Sequence, residues 1–103
     1  MKNREMTSFM FAETARIIGQ VARSHDLSVP TFRSPPRIEE VHRSIRRGND
    51  FSVVSVSFHD RPYNAVISDM IEGVLVANSL DKGKSDSFRA LMWSSIDSYA
   101  EAA

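Results

Sequence analysis

Residues 51–58, FSVVSVSF, constrain the fold more than any other stretch of this chain. Val54, Val56 and Phe58 alternate with Ser55 and Ser57, the two-residue period of a strand with one buried face. A strand cannot stand alone, because each of its backbone N–H and C=O groups needs a hydrogen-bond partner. The fold therefore depends on what pairs with this stretch.

The preceding segment, SPPRIEEVHRSIRRGND at 34–50, admits two arrangements. As a helix, Ser34 would cap it, Pro35 would open it, Gly48 would end it, and Glu39 would pair with Arg43 one turn on. Residues 51–58 would then be left with only the short TFR at 31–33, or a second copy of the protein, as a partner. As a hairpin, Gly48-Asn49 makes a good two-residue turn. That turn sets Ile45 opposite Ser52, Arg43 opposite Val54 and Val41 opposite Val56. Cross-strand partners share a face, so Val41, Ile45, Val54, Val56 and Phe58 fall together. Turn chemistry and apolar pattern agree independently, and this favours the hairpin. PTFRS can add a third strand.

Three helices are expected around it. Over 7–24, Met10, Phe11, Thr14, Ala15, Ile17, Ile18, Val21 and Ala22 share one side, with Phe9 left among the polar positions. Over 63–80, Val66, Ile67, Met70, Ile71, Val74, Leu75 and Ala77 cover about half the circumference, which marks the central core helix. Asp60 is the expected cap of that helix and Pro62 fits its first turn. DKGKSDS at 81–87 is expected as a loop. Ser85 or Asp86 would then cap a third helix whose Phe88, Leu91, Met92 and Tyr99 face inward. The predicted architecture is a small single α+β domain: helix, extended segment, β-hairpin, helix, helix, packed in two layers.

Bulk properties narrow the function classes. At 103 residues the chain has the length of one domain, and 42% apolar with 25% charged residues is ordinary for a globular protein. Net charge is zero, but residues 1–29 carry +1, 30–62 carry +2 and 63–103 carry −3. A dedicated nucleic-acid domain is usually more basic. Absence of cysteine excludes disulfides, thiolate metal sites and cysteine nucleophiles. The first residues, MKNREMTSFMFAETARIIG, make a poor signal peptide, and no apolar run approaches the length of a membrane span. A cytoplasmic protein is the expectation.

The candidate chemistry starts with arginine. Arg33, Arg37, Arg43, Arg46, Arg47 and Arg61 lie in the extended and hairpin region, where guanidinium groups suit phosphate oxygens. The plainer alternative is a salt-bridged face that protects a sheet edge. His25-Asp26 and His59-Asp60 look like helix-end pairs, and no nucleophile accompanies them. Glu39-x-x-His42 occurs once only, whereas helical di-metal sites use that spacing in pairs. Asp69 and Glu72 would need several further oxygen ligands to hold a divalent ion. No phosphate loop exists among four scattered glycines. Asn78, inside an apolar arc near a helix end, is expected to satisfy backbone carbonyls. SPPR is a weak polyproline motif. Trp93 lies off the inward line of its helix and, with Phe9, is a candidate contact residue.

Two functions from different classes follow as expectations. The first is a non-catalytic protein-interaction module that can self-associate through an open sheet edge or through Phe9 and Trp93. The second is a small nucleic-acid-associated protein that binds the phosphate backbone through the arginines of 33–61. Neither involves an enzyme activity, a cofactor, a metal or a membrane.

Overall fold

The structure is a computed structural model whose described residues are 6–34, 53–58 and 61–102, the side chains of 99–102 excepted. Five elements follow in order: α1 (Ser8–Ser24), β1 (Thr31–Arg33), β2 (Val53–Ser55), α2 (Tyr63–Ala77) and α3 (Lys82–Ala102). The three helices touch one another, and β2 lies on α2. This is the α+β class that the sequence implies.

α1 begins where Thr7, in extended conformation, accepts a hydrogen bond on its hydroxyl from the Met10 amide at 3.1 Å. Met6, just before the cap, and Phe11, on the next turn, are both buried in the core. A hydrophobic pair at those two positions fixes the angle at which the chain enters a helix. Ile17, Ile18 and Ala22 continue the buried side, while Phe9 stays 74% exposed among polar neighbours, as its helical phase implies.

Both α1 and α2 end in a Schellman motif. After α1, Leu27 N–H donates to Ala22 O and Asp26 N–H to Arg23 O. After α2, Leu80 N–H donates to Leu75 O and Ser79 N–H to Val76 O. The residue between cap and apolar anchor must be left-handed, and Asp26 (φ 60°) and Ser79 (φ 51°) supply it without glycine.

β1 and β2 pair in parallel, Thr31 with Val53, Phe32 with Val54 and Arg33 with Ser55. TFR, expected as an optional third strand, is thus the direct neighbour of β2. The hairpin arm at 38–47, the Gly48-Asn49 turn and the Asp60 cap lie outside the described residues. Among the described residues of the expected strand 51–58, the regular part is Val53–Ser55. Beyond it, the Val56 amide still bonds to Arg33 O, and Phe58 packs its ring 5.2 Å from that of Phe11 on α1.

α2 is the centre of the core, as its wide apolar arc predicts. Val66, Ile67, Met70, Ile71 and Val74 have no exposed surface. Pro62 stands at the cap position, one residue before the helix, with no side-chain capping bond.

α3 corrects the sequence reading at two points. The expected loop at 81–87 is already helical from Lys82, because the Asp81 carboxylate accepts from the Lys84 amide at 2.9 Å and Asp81 O from the Ser85 amide at 2.8 Å. One good cap outweighs the poor helix propensity of Gly83. Leu91, expected to face inward, is 37% exposed; the buried line is Met92 and Ile96, with Phe88 partly buried one turn earlier. Spacings of four keep residues on one side of a helix, and Leu91 lies about 100° from Met92.

Candidate functional site

Of the six candidate arginines, Arg33 and Arg61 belong to the described residues; Arg37, Arg43, Arg46 and Arg47 do not. Arg33 is exposed on β1. Arg61 is drawn into the fold. One of its nitrogens donates to Ser57 O at 2.8 Å, and another pairs with Asp69 on α2, also at 2.8 Å. Its guanidinium ties the end of the strand region to the central helix through these two contacts. The sequence placed Arg61 in a phosphate-binding set, but Asp69, eight residues on, already meets it.

The acidic residues considered for a metal are matched with arginine instead. Glu72 on α2 takes a two-pronged contact from Arg89 on α3, at 2.7 and 2.9 Å, and Arg89 also reaches Asp86 at 2.7 Å. These hydrogen bonds, reinforced by the positive charge, hold the Glu72 carboxyl below its ordinary pKa against an opposing effect of burial. The same bonds raise the pKa of Arg89. Asp69 serves Arg61. Among the described residues, no three His, Asp or Glu side chains converge as metal ligands would.

His25 caps α1. Its Nδ1 lies 3.0 Å from Val21 O, and its ring meets Phe88 edge-on at a centroid distance of 5.1 Å. That is the helix-end role expected of it, with an added contact to α3. Residues 59 and 60, His42 and Glu39 lie outside the described residues.

The two candidate contact residues differ. Phe9 projects from the side of α1 opposite the core. Trp93 is partly buried and packs against the core cluster, so much of its surface is already used. Val76, which the sequence reading passed over, is 59% exposed on α2.

Asn78 does more than the sequence reading assigned to it. Its Nδ2 donates to Val74 O at 2.9 Å, the expected local carbonyl. It also donates to Ser28 O at 2.9 Å, while its Oδ1 accepts from the Ser28 amide at 2.8 Å. The side-chain amide thus stands in for a peptide group and pairs with a backbone fifty positions away in sequence. An amide within an apolar arc was the available signal, but its partner could not be read from the chain.

No helix among the described residues is long and apolar enough to cross a membrane. No family model, no curated protein and no solved structure matches this chain.

Proposed function

We propose that this domain is a non-catalytic protein-interaction module of the cytoplasm, with Phe9 as its contact residue and a second copy of the chain as the first partner to test. One contrast carries the reading: Phe9 leaves most of an aromatic ring in solvent, whereas Arg61 is committed within the fold. Aromatic side chains bring large contact area at little entropic cost, so an exposed one is a natural anchor. The partly buried Trp93 is a weaker anchor and contributes at the margin.

Nucleic-acid association through Arg33, Arg37, Arg43, Arg46 and Arg47 is the second reading, supported by the +2 charge of residues 30–62. Sedimentation at increasing concentration, beside oligonucleotide titration at several salt concentrations, separates the two. The first reading expects a mass that rises with concentration, falls back in Phe9→Ser, and no oligonucleotide binding at low salt. Under the second, a stable monomer binds oligonucleotides, and affinity falls steeply with salt as counterions are released. Arg46→Gln or Arg47→Gln would then flatten the salt slope by about one unit per lost contact. Tight binding by a stable monomer would overturn the first reading.

A further inference from the structure

We propose that Asn78 is a conformationally gated deamidation site, protected while its side chain clasps Ser28 and reactive once that clasp opens.

Asn78 alone among the four asparagines precedes a serine, a small residue that little hinders its own backbone nitrogen. In an unconstrained Asn-Ser pair, the deprotonated Ser79 nitrogen attacks Asn78 Cγ. The Cγ–Nδ2 bond breaks and ammonia leaves, closing a five-membered imide. Water then opens either imide carbonyl, giving aspartate or isoaspartate. The net reaction consumes one water and releases one ammonia, with no change of oxidation state.

The fold obstructs this step at both ends. The Asn78 amide is held by Val74 O, one helical turn back, and by both backbone groups of Ser28, so three hydrogen bonds fix the side chain. The attacking nitrogen is itself occupied, donating to Val76 O at 3.1 Å within the Schellman motif. Attack requires these bonds to break together. The region that must open is the junction between the α1–β1 connection and the end of α2. Ser28 lies in the α1–β1 connection and Asn78 in the turn after α2, outside regular structure, where local opening costs less than global unfolding.

The product cannot restore the clasp. An aspartate at 78 sets carboxylate oxygen against two carbonyl oxygens that formerly accepted N–H, and this half-buried mismatch opposes reclosure. Isoaspartate also lengthens the backbone at the helix cap. A reversible opening thereby becomes a permanent one.

The test uses the whole protein in mildly alkaline buffer, with conversion at residue 78 followed by fragmentation mass spectrometry. Conversion should be at least about tenfold slower in the folded protein than in urea. Below the unfolding midpoint, its rate should rise in step with hydrogen exchange of the Ser28 amide. The deamidated fraction of aged wild-type protein, separated by ion exchange, should melt at a lower temperature than the unmodified fraction. Equal rates in folded and unfolded protein would overturn the proposal. So would a rate that follows only global unfolding, or a deamidated fraction with unchanged melting temperature.

Discussion

A Cβ built on Gly73 falls 2.5 Å from Cγ1 of Val54 and 3.1 Å from its Cγ2, so α2 rests directly on β2 at its one position without a side chain. That contact seats the sheet on the core. It also explains a glycine in the middle of the most buried helix, where glycine costs roughly 1 kcal/mol against alanine.

Gly73→Ala should therefore destabilise the protein despite its better helix propensity. Overpacking of this kind costs about 1–3 kcal/mol. Urea unfolding of Gly73→Ala, Val54→Ala and the double variant checks it. The double variant should recover much of the loss, because the added methyl then has room. Additive losses would place the clash elsewhere.

Truncation within α2 should cost more than truncation in α1. Ile71 and Val74 are fully buried, whereas Ile17 retains a little exposure. Ile71→Ala, Val74→Ala and Ile17→Ala should each fall at roughly 1–4 kcal/mol, with Ile17→Ala the mildest. Negligible losses at Ile71 and Val74 in thermal or chemical unfolding would make α2 peripheral.

The two left-handed residues offer stabilising substitutions. Asp26 and Ser79 each hold a positive φ that costs an L-residue about 1–2 kcal/mol. Asp26→Gly and Ser79→Gly should each raise stability by roughly 0.5–1 kcal/mol, after the entropy of glycine in the unfolded chain is subtracted. Asp26→Asn should also help, since it removes a negative charge from a helix C-terminus. A lowered midpoint in either glycine variant would show that its side chain has a role beyond the turn.

The Glu72–Arg89 contact predicts a pH dependence. The folded Glu72 carboxyl has a depressed pKa, so its stabilising effect is complete above the unfolded value and is lost as pH falls through the folded one. Both side chains are more than a third exposed, so the effect is modest and screened by salt. Wild type should exceed Glu72→Gln in urea stability at neutral pH, and the two should converge in acid. A constant difference across that range would assign the loss to packing.

Much of the helical framework follows from residue order alone. The period of apolar residues places two helices, 7–24 to within a residue and 63–80 with its start correct but its end three residues too late, because burying one face of a helix requires that period and no other. Phe9 stands out as exposed and α2 as central for the same reason. Local chemistry was less decisive at the start of α3, where polar DKGKSDS resembles a loop until Asp81 is seen to cap it. What the chain could not disclose is partnership across distance. Val54 seats against Gly73, Asn78 against Ser28 and Glu72 against Arg89 only once the elements have docked. Each member of such a pair satisfies local rules equally well with many partners. Which partner it meets is set by the packing of the whole core, and periodicity along the chain carries no record of that.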